Sequence, residues 1–380
     1  MAYYVSFILL FLNSLFTFGR KHSKILTILL ISFLWILFWG NYQNPDYNNY
    51  LRNYNWIAFS GDTIFNSIGS EFGFRFLMKI VSYCKVNYTV FVVIISFIGF
   101  LLIYSTVIKF TRNTNYVFVF YFFTPFFLDV VQVRNFLAMS IMIFSIRYLF
   151  IEQKKGKIMY ILAILLATTI HYSSILYLPM IFISKTNKKK MIKLIVAVSV
   201  LGSIIILLGN NFWPVIGDSI CKILNIEKAN IWFENRTRFG YLLFFGMQAM
   251  SFLMIRIARK NVNRNLKDGD DSQISTTTVT YEQNGYKFIE LLYWINIFAF
   301  AFFPLYILDS TFTRLMRNLL LLNYIGFSFT SDSFKRGSNN KILFNFGVVI
   351  YVVVLFLIQI YIPFKDNVLG AILKNNLIFK

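Results

Sequence analysis

The ionisable residues that interrupt the apolar stretches of this chain fall into a few groups. The most pointed is Gln132-Val-Arg134-Asn135, which leads into the apolar stretch Phe136–Phe150. A guanidinium at a membrane edge can grip a phosphate with its planar, bidentate fork. It can equally snorkel as an interface anchor, and the spacing alone allows both. His171, one of two histidines, stands between apolar runs and is followed by Tyr172-Ser173-Ser174. Such a residue is commonly a hydrogen-bonded packing element, yet it is also the side chain poised to exchange protons near neutral pH. Arg314 and Arg317, after Asp309, are three residues apart and share a helix face. Two arginines on one face suit a pyrophosphate, and the plain alternative is an anchor with a salt bridge to Asp309. Arg236 and Arg238, after Glu234, form a weaker group, because alternate positions on a helix point in different directions. Carboxylates number only 16, and Asp46, Asp62, Glu71, Asp129, Glu234 and Asp309 fall in the same loops or loop edges as these groups. A general base for a hydroxyl would come from them or from His171. The Tyr-rich stretch around Asp46 and Tyr47 could stack on a sugar ring, although aromatics are also ordinary at membrane interfaces. The chain has no Walker loop, no GxSxG and no zinc-ligand spacing, so no metal or cofactor is expected.

The elements that must position these residues are membrane helices. The 380 residues are 57% hydrophobic, 19% aromatic and 14% charged, where a soluble domain is nearer a quarter charged. The 45 Phe and 23 Tyr are too many for a soluble core of this size, so lipid must solvate many of them. The apolar runs are too long and continuous for the alternation of a β-barrel. Helices remain, because they satisfy their own backbone hydrogen bonds in lipid. The expected fold is an all-α, polytopic helical bundle forming a single transmembrane domain over 1–380. About twelve membrane segments are read at roughly 3–18, 25–40, 87–108, 116–131, 135–151, 158–170, 172–184, 191–209, 238–257, 288–308, 312–330 and 342–362, some of them short or re-entrant. The first run lacks the charged flank and cleavage site of a signal peptide and reads as a retained span. The net charge of +21 does not mark a nucleic-acid binder, since the Lys and Arg sit in short loops and form no continuous basic face. Cys84 and Cys221 are too few for a disulfide framework.

Positive charge in short loops sets orientation. Basic clusters at Arg20/Lys21/Lys24, Lys109/Arg112, Lys154/Lys155/Lys157, Lys188–Lys190/Lys193, Arg256–Lys267 and Lys335/Arg336/Lys341 are placed in the cytoplasm, which leaves both termini outside. The outer loops are then about 41–86 and 210–237, and a polar cytoplasmic loop covers about 258–286. Phe72–Tyr83, interrupted by Arg75 and Lys79, is too short to span and fits an interfacial or re-entrant helix. The clusters ending at Lys157 and starting at Lys185 both belong inside, so residues 158–184 must enter and return as a hairpin with His171 near its tip. The competing reading is one long span with Lys188–Lys190 stranded outside.

Several motifs recur in one known pattern. They are the acidic, Tyr-rich loop Pro45-Asp46-Tyr47…Tyr50, then Glu71-Phe-Gly-Phe74, Gln132-Val-Arg134-Asn135-Phe-Leu-Ala138, the basic turn Lys154–Lys157, Ala167-Thr-Thr-Ile-His171-Tyr-Ser-Ser174…Pro179, and Thr313-Arg314…Arg317. In this order, over roughly residues 35–330, the chain resembles a polysaccharide polymerase of the Wzy type, in the EpsG-like branch. Many relatives carry an Arg before the loop aspartate, whereas Trp39–Asp46 here has none. The resemblance implies a GT-C-like architecture in broad outline. It also implies glycosyl transfer at the outer face of a bacterial cytoplasmic membrane, with an undecaprenyl-pyrophosphate-linked oligosaccharide as substrate. Membrane lipid, and other polysaccharide-assembly proteins, would be the remaining partners. Arg134, Arg314 and Arg317 would clamp the pyrophosphate, and Gln132, Asn135, Arg75 and Tyr47 would complete the binding set. Asp46, Glu71 or His171 would take the acceptor proton, the last two slightly ahead. The rival classes are a lipid-linked oligosaccharide flippase and another outer-face ligase or acyltransferase. No inverted repeat or pair of broken helices supports a transporter.

Overall fold

The computed structural model describes residues 1–19, 22–59, 71–151, 154–183, 187–208, 239–267, 276–335 and 337–379. The loop expected at 210–237 lies outside the described residues, as do Asp62, Glu234, Arg236 and Arg238. Every regular element among the described residues is helical, and the one extended contact is a single bridge between Asn41 and Asn376.

The helices start where small polar side chains stand before apolar runs. The Ser23 hydroxyl accepts from Leu26 N (3.3 Å), Asn87 from Val90 N (3.0 Å), Asn113 from Tyr116 N (3.1 Å) and Ser338 from Lys341 N (3.3 Å). Each satisfies a donor that the first turn cannot pair internally. The resulting series begins with α1 (Ala2–Thr17), α2 (Lys24–Gly40), α3 (Tyr47–Phe59), α4 (Phe72–Tyr83) and α5 (Tyr88–Phe110). Next come α6 (Thr114–Phe123), α7 (Phe126–Val131), α8 (Val133–Ser145), α9 (Lys154–Ile170) and α10 (Lys188–Leu208). The last part comprises α11 (Gly240–Lys267), α12 (Thr276–Phe298), α13 (Phe303–Leu308), α14 (Arg314–Arg317), α15 (Leu320–Ser333) and α16 (Asn339–Phe356), which runs on through wider π-helical turns toward Lys374.

Among the described residues, six helices are long and apolar enough to cross a membrane: Tyr88–Phe110, Val133–Phe150, Lys188–Leu207, Gly240–Arg264, Asn284–Leu308 and Asn339–Lys374. Four shorter apolar helices accompany them, at Ala2–Thr17, Lys24–Gly40, Thr114–Phe123 and Tyr172–Phe182. The expectation of about twelve segments counted apolar runs that the chain then breaks. The run at 116–131 divides between α6 and α7 at Pro125, which has no N–H to continue the helix. The run at 312–330 divides between α14 and α15, where Asn318 turns aside to pair with Asn135. The segment expected as a cytoplasmic loop at 258–286 is helical at both ends. Its first part continues α11 to Lys267 and its last part belongs to α12, which begins at Thr276. Lys, Arg and Asn on the solvated end of a helix do not end it, since Lys and Arg are good helix formers. A clasp joins the two helices there: Arg259 donates from Nε and Nη2 to the Glu290 carboxylate (2.6 and 3.0 Å).

Lipid-facing and buried surfaces separate along each helix. On α10, Leu194, Val198, Leu201 and Ile205 are exposed, as a helix bathed in lipid requires. At the centre, the buried Phe136 of α8 packs on Phe38 (4.6 Å between ring centroids) and Phe100 (5.3 Å). A Cβ on Gly99 would run into the Phe136 ring, so glycine allows α5 and α8 to meet this closely. Buried polar pairs join the helices elsewhere: Asn296 with Asn323 in both directions (2.8 and 3.2 Å), Ser251 with Tyr351 (2.7 Å), Thr111 with Ser328 (2.8 Å) and Thr27 with Thr114 (2.8 Å).

The expected hairpin is present. The chain breaks at His171, whose backbone is extended (φ −148°, ψ 116°), and returns as a 3₁₀ segment over Tyr172–Phe182. The Tyr160 hydroxyl donates to the Tyr177 carbonyl (2.8 Å) and ties the arms together. His171 therefore sits at the tip.

Candidate functional site

Four segments far apart in sequence deliver one side chain each to the end of the bundle that the charge pattern assigns to the outside. The first is Glu71, immediately before α4. Its backbone is left-handed (φ 65°, ψ 41°), a conformation that a residue with a Cβ adopts at a cost. This turn aims the carboxylate inward, where it is 12% exposed. The adjacent Gly73 sets how near it comes. A Cβ there would collide with the side chain and backbone of Thr169, so α4 lies directly on the last turn of α9. That contact carries Glu71 to His171, two residues beyond Thr169.

At the hairpin tip, His171 Nδ1 lies 2.6 Å from Glu71 Oε1, and His171 Nε2 lies 3.0 Å from Arg314 Nη1. A guanidinium only donates, so Nε2 accepts and Nδ1 carries the proton toward the carboxylate. The ring is then neutral. Burial pushes the His171 pKa down, and the Arg314 and Arg134 guanidiniums push it further, to about 3. Glu71 Oε2 forms an ion pair with Arg134 Nη1. Arg134 stands in the first turn of α8, where it also donates from Nε to the Tyr50 hydroxyl (3.3 Å) and lies over the Tyr50 ring, 5.3 Å from its centroid. The continuous chain is Arg134–Glu71–His171–Arg314.

Two braces fix the turn that bears Arg314. Tyr177, on the returning arm of the hairpin, donates to the Leu315 carbonyl (2.9 Å). Asn135 and Asn318 exchange amide hydrogen bonds at 3.0 Å in both directions. Asp309 caps the turn through Thr311 N (2.6 Å), and Arg314 Nε donates to the Thr311 carbonyl (2.8 Å).

The expected residues thus divide. Glu71, His171, Arg134 and Arg314 come together. Arg317 is not part of this chain of contacts: it is buried, bonded to Gln132, and its field acts on the fully buried Asp129. Gln132 and Asn135 are engaged by Arg317 and Asn318. Tyr47 packs its ring on Tyr88 (5.6 Å), and Tyr50, one helical turn on, is the tyrosine that touches Arg134. Arg75 lines a small cavity of about 70 Å³ beside the ion pair, with Tyr50, Asn53, Trp56, Glu71 and Arg134. That space holds about two waters. Asp46 lies near enough for its charge to act on Arg314. Sequence reasoning named Tyr50 only within the loop motif, with no site role, and did not single out Tyr177 or Asn318. The i, i+3 spacing of Tyr47 and Tyr50 was the available signal for the first, and the other two carry none. Among the described residues no cluster of three His, Cys, Asp or Glu side chains is disposed to hold a metal.

Guanidiniums flank a carboxylate–imidazole pair in this arrangement. Such a group can hold an anionic oxygen and accept a proton at neighbouring points. No curated protein and no solved structure matches the chain. The sequence model of the EpsG family matches residues 24–369, nearly the whole chain. The matched span contains all four clustered residues, and the chain belongs to the EpsG family, a family of Wzy-type polymerase-like membrane proteins.

Proposed function

We propose that this chain is a polysaccharide polymerase that moves an oligosaccharide repeat unit from undecaprenyl pyrophosphate onto another lipid-linked unit, at the outer face of a bacterial cytoplasmic membrane. The observation that carries this reading is the Arg134–Glu71–His171–Arg314 chain, assembled from the first outer loop, α8, the hairpin tip and the turn before α15.

In the structure the four groups satisfy one another. An incoming pyrophosphate competes for both guanidiniums with more charge than Glu71 or the imidazole offers. As Arg314 turns to the phosphate, His171 Nε2 is released and becomes a base, while Glu71 still holds Nδ1–H and fixes the tautomer. The acceptor hydroxyl attacks the anomeric carbon and gives its proton to His171 Nε2. The bond from that carbon to the phosphate oxygen breaks, and the pyrophosphate leaves as the anion held by Arg134 and Arg314. The sugar passes through an oxocarbenium-like state, as in other glycosyl chemistry. Stabilising the leaving charge is the larger contribution, with about 10²–10³ in rate for one well-placed donor. Arg317, Gln132 and Asp129 position this group from behind. No cofactor takes part in the scheme.

The test is surface polysaccharide in cells carrying Arg134→Ala or His171→Ala. The expected result is collapse to single repeat units with the protein still inserted in the membrane. Long chains in both variants would refute the assignment. Repeat units accumulating on the cytoplasmic side would make the protein a translocase instead.

A further inference from the structure

A polar pocket lies away from the Arg–Glu–His cluster, between the start of the first outer loop and the C-terminal segment. It is an open pocket of about 440 Å³ lined by Gln43, Pro45, Asp366, Asn367, Lys374 and Asn375, with backbone from the turn at Gly370. The volume falls within the roughly 300–1,000 Å³ of small-ligand sites. Its walls are tied together. Asn41 Nδ2 donates to the Ala371 and Asn375 carbonyls (3.1 and 3.2 Å), Leu377 N to the Gly40 carbonyl (2.9 Å), and Asn376 Nδ2 to the Ile36 carbonyl (3.3 Å). A Cβ on Gly40 would strike the Asn376 side chain, so the two strips of chain meet at glycine contact. The cavity is built in advance of any ligand.

Its lining states what it would bind. Gln43, Asn367 and Asn375 offer amides that both donate and accept, and among the described residues none of the three side chains has a hydrogen bond within the protein. Asp366 and Lys374 bring one charge of each sign, so the lining is electrically balanced, and no guanidinium is present. That composition is poor for a pyrophosphate and poor for a lipid chain. It suits a neutral polyol, whose adjacent hydroxyls need donors and acceptors together.

Its position links it to the cluster. Gln43 and Pro45 directly precede Asp46, whose charge acts on Arg314. The wall segment Lys365–Gly370 packs on α7, which runs straight into Gln132 and Arg134. We propose that this cavity is a saccharide subsite, holding a sugar of the glycan at a distance from the reacting carbon. The identity of the glycan as the polymer under extension rests on the function proposed above, whereas the binding of a neutral saccharide does not.

The experiment uses the full chain in lipid nanodiscs and two probes: a panel of neutral hexose and N-acetylhexosamine disaccharides, and inorganic pyrophosphate. Saturation-transfer NMR and titration calorimetry read the binding of each. The expected result is that at least one disaccharide binds the wild type. Its affinity falls about tenfold or more in Asn367→Ala/Asn375→Ala, equivalent to about 1.4 kcal/mol, and is kept in Arg134→Ala. Pyrophosphate should show the reverse dependence. If no disaccharide binds, or if the double variant binds it as the wild type does, the subsite is overturned, whatever happens to pyrophosphate. If the disaccharide behaves as expected and pyrophosphate ignores Arg134, the subsite stands and the phosphate clamp falls.

Discussion

Glu71→Gln is the most informative single change, because it keeps the shape and removes one charge. Glu71 accepts from both Arg134 and His171. A glutamine at the same place brings one acceptor oxygen and one amide donor. If the oxygen stays on Arg134, the amide faces His171 Nδ1, which must then accept, and the ring proton moves to Nε2. There it points at Arg314, whose guanidinium also donates, 3.0 Å away. Two donors cannot share that gap, so either the ring or Arg314 must leave. Breaking a buried ion pair costs about 3–5 kcal/mol. Arg134 is 38% exposed, so water recovers much of its charge, and about 1–2 kcal/mol of stability is the expected loss. The loss of activity should be far larger. Without the correct tautomer the base is absent, and general-base catalysis is worth about 10²–10⁴ in rate, or roughly 3–5 kcal/mol of barrier. The assay is the length distribution of surface polysaccharide in a strain lacking the gene and complemented with the variant, beside the amount of protein in the membrane fraction. Normal protein level with chains reduced to one or a few units is the expected outcome. Wild-type chain lengths at normal protein level would refute the base–orienter pairing.

Gly73→Ala forces α4 away from Thr169. It should cost about 1–3 kcal/mol and shorten the polymer, and Thr169→Ala should restore only part of it, because the Thr169 backbone also blocks the new methyl; thermal unfolding of the three variants measures this. His171 should make stability fall with acid. Its folded pKa lies below the ordinary 6.5, at about 3, so the unfolded chain takes up the proton first. Its contribution is complete above pH 6.5 and is lost as pH falls toward 3, at up to about 1.4 kcal/mol per pH unit. The stability difference between wild type and His171→Gln should therefore be flat above pH 7 and shrink below 6.5. Arg314→Ala should abolish long chains while leaving the protein abundant. Arg317→Ala should instead deplete folded protein, since it leaves Gln132 Oε1 without its donor and removes the guanidinium whose charge acts on the fully buried Asp129, at a cost of about 1–3 kcal/mol; immunoblots of the membrane fraction separate the two.

Much of this site was legible because lipid makes charge conspicuous. Arg134, His171 and Arg314 each interrupt an apolar context, and the charge rule folded the 158–184 hairpin so that His171 reached its tip. Direction was not legible. The three-residue spacing of Arg314 and Arg317 gave them a shared face, but a short turn between two helices lets one side chain leave the bundle and the other enter it. Gln132 and Asn135 entered the binding set through the family resemblance, and their partners Arg317 and Asn318 lie more than 180 residues away. No local pattern encodes such a pairing. The left-handed backbone at Glu71 was equally hidden, since Glu ordinarily avoids that conformation. The count of about twelve membrane segments is not confirmed for a related reason: apolar length does not show where Pro125 or Asn318 interrupts a run.

The buried polar pairs between helices have a consequence for how the bundle assembles. Lipid offers no penalty when one greasy helix face replaces another, so apolar contacts alone would let a helix settle at several rotations. Asn296 with Asn323, Ser251 with Tyr351, Thr111 with Ser328 and Thr27 with Thr114 remove that freedom. Each is worth only about 0.6 kcal/mol when made. A rotation by one residue, about 100°, would leave both partners facing hydrocarbon, where each unsatisfied group costs several kcal/mol. These pairs act as detents, weak as springs but steep as stops. They select one rotation for each helix, so that side chains supplied by remote helices come to a common point without having to find one another.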